Sequence, residues 1–261
     1  MTTVEPDADL DPPYVAASTT ARDRTVTITG AGRGLGLRTV RTLLDQGARV
    51  VANHRSPSKD LELLAEQHPD RIVLVQGDVS EEPVAAALIE AARGFGGLDA
   101  VIHNAGIARD GLAVRLSVDD WDEVMRVNLR GAFLVTKYAL KAMMRRRAGR
   151  IVYVSSSSAY VGNAGQVAYA TSKAGLQGLA LSVAQEYRNY GIRTVVLALG
   201  LLDTGLGDEL TDERRGQLAD FSLAGLGDAD QAAATLAFLT SEAAGFINAT
   251  VLRADGGIRY A

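Results

Sequence analysis

Seven short stretches in which nearly every position is apolar punctuate the chain from residue 24 onward: RTVTIT (24–29), ARVVAN (48–53), RIVLVQ (71–76), LDAVIH (98–103), RIVYVS (150–155), IRTVVLAL (192–199) and TVLRA (250–254). A strand covered on both faces needs apolar side chains at successive positions, and these stretches are rich in Val and Ile, so they read as buried strands. Between them the apolar positions recur at helical spacing, which predicts helices at 35–46, 58–67, 82–94, 119–147, 167–190 and 229–241. Ser80 and Ser117 stand just before acidic residues and read as helix N-caps.

Strands that alternate with helices are joined by right-handed crossovers and lie parallel. The pattern therefore predicts an α/β chain: a single-domain, Rossmann-type doubly wound parallel sheet of about seven strands, with helices on both faces. Its ligand crevice is expected at the carboxyl ends of the strands, where the strand order reverses. Residues 1–22 are polar, acidic and proline-bearing, with no period, and read as a flexible leader before a folded domain at 23–261.

The 261 residues are 47% hydrophobic, with a formal net charge of −4 and no cysteine. Such a chain can bury a sizeable core, has no thiolate or disulfide chemistry, and exerts no overall attraction on nucleic acid or anionic membranes. A cytoplasmic location is the expectation, since no apolar run reaches the ~18 residues of a bilayer span. The three histidines, His54, His68 and His103, are scattered without metal-ligand spacing, so no metal site is expected.

The first strand runs into TGAGRGLG (29–36), and a helix begins inside that sequence. Gly30, Gly32, Gly34 and Gly36 allow a tight turn and close approach to a pyrophosphate, which Arg33, Leu35 and the helix N-terminus would meet with unpaired N–H groups. The spacing differs from the G-x-G-x-x-G of the usual dinucleotide fingerprint, but the strand-to-helix context is the one its physics requires. An enzyme using NAD would place an acid at the end of the second strand to bind the ribose 2′-hydroxyl. Here that end reads Asn53, His54, Arg55, and Arg33 with Arg55 suits a 2′-phosphate, so NADPH is the expected cofactor.

Tyr169 is followed four positions later by Lys173, which places both on one helix face. A phenol titrates near ~10, and a neighbouring ammonium favours its ionised form, so Tyr169 is expected to have a lowered pKa and to act as general acid to a carbonyl oxygen receiving hydride.

TGAGRGLG (29–36), GDV (77–79), HNAG (103–106), VNLRGAF (127–133), the serine-rich 155–158 and YATSK (169–173) together make residues 24–258 resemble the short-chain dehydrogenase/reductase family. The resemblance implies a catalytic set of Asn128, Ser156, Tyr169 and Lys173. In that set Ser156, thirteen positions before Tyr169, orients the substrate carbonyl; Asn128 supports a water that links Lys173 to solvent; and Lys173 also binds the nicotinamide ribose. Ser155, Ser157 and Ser158 are left to packing and turns. Asp78 and Val79 match the adenine contacts, and Asn104, Ala105 and Gly106 line the middle of the cofactor. Gly200, Leu202 and Thr204, from LGLLDT (199–204), match the loop that holds the carboxamide. Leu199 replaces a proline usual in the family, and the loop is expected to gain mobility.

Within the family the chain looks most like the β-ketoacyl-acyl-carrier-protein reductases, on GNAGQVAYATSKAGL (162–176), ELTDERR (209–215), the 225–247 run and DGGIRY (255–260). That likeness implies a 3-oxoacyl thioester on an acidic acyl carrier protein as substrate, with Arg145, Arg146 and Arg147 as a basic docking patch near the cleft. It also implies a homotetramer built on the long helices, and Asp203–Leu226 reads as a substrate lid. Two rivals stand beside it: a secondary-pathway reductase of polyketide or aromatic ketones, and a non-catalytic NADPH-binding sensor or partner subunit.

Overall fold

The computed structural model describes residues 17–204, 213, 216 and 221–258. Seven strands, β1 (Thr25–Ile28), β2 (Arg49–His54), β3 (Ile72–Gln76), β4 (Ala100–His103), β5 (Gly149–Ser156), β6 (Ile192–Leu199) and β7 (Thr250–Ala254), form one parallel sheet. Their order is β3-β2-β1-β4-β5-β6-β7, so the winding reverses between β1 and β4. All four residues of β1 and all four of β4 are buried, the polar Thr25, Thr27 and His103 included, as in a strand covered on both faces.

Alternate residues of each strand feed two cores. Val26, Ala100, Val152 and Val195 face α1 (Gly34–Asp45), α2 (Lys59–Gln67) and a late helix at Ala229–Thr240. Val51, Val101, Ile151 and Val196 face α3 (Glu82–Gly94) and two long helices, at Gly131–Arg146 and Val167–Glu186. At roughly 25 cal/mol per Å² of apolar surface removed from water, these two layers supply most of the drive to fold.

The stretch predicted as one helix, 119–147, is three pieces: α4 (Val118–Met125), a π-helical turn at Arg126–Arg130, and α5 (Gly131–Arg146). A π turn inserts one extra residue and shifts the side chains after it around the axis, which hydropathy spacing alone does not reveal. A four-residue helix, α6 (Ser158–Val161), follows β5, and α7 (Val167–Glu186) ends before a short 3-10 turn at Arg188–Tyr190. The last helix is α8 (Ala229–Thr240).

Ser117 caps α4, its hydroxyl accepting the Asp120 N–H at 3.0 Å. Ser80 does not cap α3, as the sequence reading has it. Glu81 holds the cap position, and the Ser80 hydroxyl donates instead to Asp78 Oδ1 at 2.7 Å. Leu199 is the last residue of β6, as the 192–199 reading has it; it is paired with Ser156, and its carbonyl accepts the Ser157 N–H at 2.8 Å.

Residues 18–22, the end of the expected leader, lie against the sheet layers. Ala21 is fully buried and donates its N–H to Gln46 Oε1 at 3.0 Å, and the Ser18 carbonyl accepts from Ala243 at 3.0 Å. Residues 1–16, most of the expected lid, and the ELTDERR sequence apart from Glu213 lie outside the described residues.

Candidate functional site

The carboxyl ends of the strands open into a cleft of about 1320 Å³. Every sequence-predicted site residue except Asn128 lies on its wall, from Gly30 and Arg33 through Arg55, Asp78 and Gly106 to Tyr169, Lys173 and Thr204.

The glycine loop is packed against the end of β4. Gly30 has φ +69°, and a Cβ there would stand 2.7 Å from the Ala105 Cα, so only glycine fits. Asn104 is turned to this loop rather than to the cleft: its Nδ2 donates to the carbonyls of Thr29 at 3.1 Å and Gly30 at 2.9 Å. The Thr29 hydroxyl accepts from the amides of Asn104 and Ala105, both at 3.1 Å. Thr29 is thus a loop-holding residue that the sequence reading passed over, although it opens the quoted motif.

At the start of α1, Arg33 in the cap position makes no side-chain cap, and no acidic residue stands in the first turn. The dipole and N–H groups of that helix end face the cleft with no acidic residue in the helix's own first turn. At the end of β2, the Asn53 side chain is spent on the backbone, donating to Val75 O at 3.1 Å and Gly77 O at 3.0 Å, and no carboxylate follows it. Ser58 donates to Gly32 O at 2.7 Å and caps α2, which ties the second βα turn to the glycine loop. These features fit a dinucleotide: a cradle that a Cβ would fill, a helix N-terminus without acidic residues in its first turn, and the Arg33 and Arg55 guanidinium groups on the wall.

Asp78 is held by three donors. Its Oδ1 accepts the N–H and hydroxyl of Ser80, and its Oδ2 accepts Arg126 Nη1 at 2.9 Å. Burial acts to raise the carboxyl, but these bonds outweigh it and hold it below the usual range. Arg126, unseen at the sequence level, begins the π turn and so links the Asp78 wall to the turn that presents Asn128.

Ser156 ends β5, while Tyr169 and Lys173 lie in the first two turns of α7. Ser156 hydrogen-bonds the Tyr169 phenol. The Oγ of Ser156 also accepts the Ser158 N–H at 3.2 Å and the Ser158 hydroxyl at 3.0 Å. With its acceptor side taken, the Ser156 O–H is left to donate, toward Tyr169 or a substrate carbonyl. Ser155 donates to the Lys173 carbonyl at 3.0 Å, which locks β5 to α7.

Lys173 is 3% exposed; its Nζ donates to Val154 O at 2.8 Å and lies 5.7 Å from the Tyr169 ring centroid. Burial pushes its ammonium down to about 8. Burial also pushes the Tyr169 phenol up to about 12; the Ser156 bond acts the other way and the Asp110 carboxylate adds to the rise. The expected lowering of Tyr169 by Lys173 is therefore overturned. Loss of solvent outweighs the cation, whose proton points at a backbone carbonyl.

Asn128 sits behind Gly106, 2% exposed. It exchanges bonds with Ile107, accepting its N–H at 2.8 Å and donating to its carbonyl at 2.9 Å, and also donates to Ser172 Oγ at 2.9 Å. A Cβ on Gly106 would stand 3.2 Å from Lys173 Nζ and 3.4 Å from Asn128 Oδ1, so both atoms border one spot that glycine keeps open.

The expected docking patch is not at this cleft. Arg145 and Arg146 end α5, and Arg147 follows with φ 52°. Arg146 pairs with Asp99 at 3.1 Å before β4, and Arg147 donates to Asn189 O at 2.6 Å before β6. Both partners lie at the amino ends of the strands. Across the eight residues of β5 the cleft is roughly 25 Å away. The sequence showed the charges but not the direction in which α5 runs.

Among the described residues no helix is long and apolar enough to cross a membrane, and no group of three histidine or carboxylate side chains is placed to hold a metal ion.

A model of the short chain dehydrogenases matches residues 24–215. The chain is 35% identical over 235 residues to the 3-oxoacyl-(acyl-carrier-protein) reductase FabG of Salmonella typhimurium, covering 88% of this chain and 95% of that protein. It is 35% identical over 237 residues to nodulation protein G of Rhizobium sp. strain N33, covering 90% and 96%. Against the 3-oxoacyl-(acyl-carrier-protein) reductase FabG of Staphylococcus aureus strain Mu50 the identity is 34% over 236 residues, covering 88% and 96%.

Proposed function

The chain belongs to the short-chain dehydrogenase family and is an oxidoreductase, and from that premise we propose that it is an NADPH-dependent ketoreductase acting on a 3-oxoacyl thioester carried by an acyl carrier protein. The observation that carries the reading is the convergence of Ser156, Tyr169 and Lys173 on one wall of a cleft whose opposite end is a glycine cradle. Coenzyme choice rests on the end of β2, where Asn53 is spent on the backbone, no carboxylate follows, and Arg33 and Arg55 flank the cleft. The substrate class is supported by the two reductases named above, and a cytoplasmic location goes with that reading.

Gly30, Gly34, Leu35 and Gly36 would hold the pyrophosphate, Asp78 and Val79 the adenine end, and Lys173, Gly200, Leu202 and Thr204 the nicotinamide end. The bound nicotinamide supplies hydride to the substrate carbon. Ser156 donates its O–H to the ketone oxygen and orients it. Tyr169, protonated throughout the neutral range, gives its phenolic proton to the same oxygen as negative charge builds there. Lys173 returns a proton to Tyr169 from the spot behind Gly106, and Asn128, fixed by Ile107 and Ser172, holds that route open. The product is a 3-hydroxyacyl thioester. Exposed apolar side chains on the long helices, Phe133 of α5 and Leu181 of α7, suit a homotetrameric assembly.

The test is NADPH oxidation with acetoacetyl thioester, on a carrier protein and on a small thiol, by wild type and Tyr169→Phe. Fast turnover with NADPH, slow with NADH and abolished in the variant, is the expected result. Tight NADPH binding with no turnover of any ketone would return the chain to the non-catalytic class, and turnover only of bulky aromatic ketones would make it a secondary-pathway reductase.

A further inference from the structure

At the edge of the sheet opposite the cleft, three arginines share one face. Arg150 of β5 pairs directly with Arg193 of β6, and the same row continues through Ala100 of β4 to Val26 of β1, two residues beyond Arg24. Side chains two apart in a strand project to the same side. Val26, Val152 and Val195, each two positions after one of these arginines, all belong to the core under α1 and α8, so Arg24, Arg150 and Arg193 stand on that face together.

Like charges on neighbouring strands destabilise a sheet unless something compensates them. Here none of the three enters an ion pair among the described residues. Asp99, just before β4, is spent on the Thr25 N–H and Arg146, and lies two positions before Val101, on the side of the other core. Arg150 is 4% exposed, and only its Nε is engaged, donating to the Leu239 carbonyl at the end of α8. Both of its terminal nitrogens, Arg24 Nε and the hydroxyl of Ser241, two residues past Leu239, are buried without a hydrogen-bond partner among the described residues. The carbonyl end of α8 offsets part of one charge, while the repulsion from Arg193 and Arg24 remains. Arg193 Nη1 packs against Gly245, where a Cβ would stand only 3.2 Å away. Arg193 is exposed and Arg24 half-buried, so this face is reached from solvent.

We propose that Arg24, Arg150, Arg193 and Ser241 form a binding site for a phosphate-type oxyanion, separate from the catalytic cleft. The guanidinium nitrogens of Arg150 that lack partners offer a two-pronged donor to two oxygens, the outer arginines close over the others, and the hydroxyl completes the set. An anion held there ties the starts of β1, β5 and β6 to the end of α8. The inference is independent of the reading of the cleft.

Inorganic phosphate is titrated calorimetrically into the full chain, with chloride at matched ionic strength as control, for wild type, Arg24→Met, Arg193→Met and an Arg33→Met/Arg55→Met double variant. Saturable phosphate binding is expected in wild type and in the double variant, weakened about tenfold in Arg24→Met and Arg193→Met, the loss of one charge-assisted contact. Arg193 is exposed, so its variant keeps the fold even where Arg150→Met does not. Absence of saturable binding, an equal response to chloride, or binding lost only in the double variant overturns the proposal.

Discussion

Ser158 donates both its backbone N–H, at 3.2 Å, and its hydroxyl, at 3.0 Å, to a single atom, the Oγ of Ser156. The pair fixes which way the Ser156 hydroxyl can point, and it arises because α6 begins immediately after β5.

Removing one of those donors frees the Ser156 hydroxyl to rotate. Ser158→Ala is expected to lower kcat for ketone reduction about tenfold, the worth of one aimed hydrogen bond, and to leave the KM for NADPH within about twofold. Ser156→Ala loses the bond to substrate itself and should cost 10- to 100-fold more. Steady-state kinetics on both variants check this, and equal effects would assign Ser158 no orienting role.

Lys173 couples activity and stability to pH with opposite signs. Its folded value of about 8 lies below the ordinary 10.5, so between these values the unfolded chain holds a proton that the native lysine has lost. Stability through this group therefore rises with pH across that window. The reduction rate falls over the same window, because Lys173 resupplies the Tyr169 proton. A pH profile of kcat should show a descending limb near 8 that Lys173→Met abolishes, while thermal unfolding of wild type shows no matching loss.

His103 gives the acid side. Its ring is 3% exposed, stacks on Tyr153 at 4.8 Å, shares the Thr136 hydroxyl with it, and leaves Nδ1 without a partner among the described residues. Burial first, and then the Lys173 charge, push it down to about 3 from 6.5. Below pH 6.5 the unfolded chain binds a proton that the native ring refuses, so stability falls as pH drops from 6.5 toward 3. At pH 4 the loss amounts to about 3 kcal/mol. Chemical denaturation at pH 7 and pH 4 measures it, and His103→Asn should remove most of the pH dependence.

Arg126→Met takes one of three donors from Asp78 and unties that wall from the π turn. The KM for cofactor is expected to rise about tenfold with kcat changed less than threefold, since the reacting groups are untouched. A fall in kcat at constant KM would contradict the assignment.

How much of this was legible depended on the range of the interaction. The seven strands, the helix starting at the glycine loop and the Tyr169–Lys173 spacing are local, and each was read within one or two residues of its place. Ser80 misled because its hydroxyl had two local partners available, a helix end and Asp78, and the carboxylate won. The break at Arg126–Arg130 was invisible because a π turn changes hydrogen-bond register without changing composition.

By itself the sequence determined the parallel sheet, the glycine loop at the first strand-to-helix turn and the placing of Tyr169 and Lys173 on one helix face, because periodicity and motif spacing encode contacts within a strand, a turn or a helix. Only the tertiary structure decided that desolvation raises Tyr169, that Arg145–Arg147 lie at the opposite edge from the cleft, and that Arg24, Arg150 and Arg193 share one face. Those facts depend on burial and strand register, which bring together residues as distant in the chain as 24 and 193, and no local pattern records such a meeting.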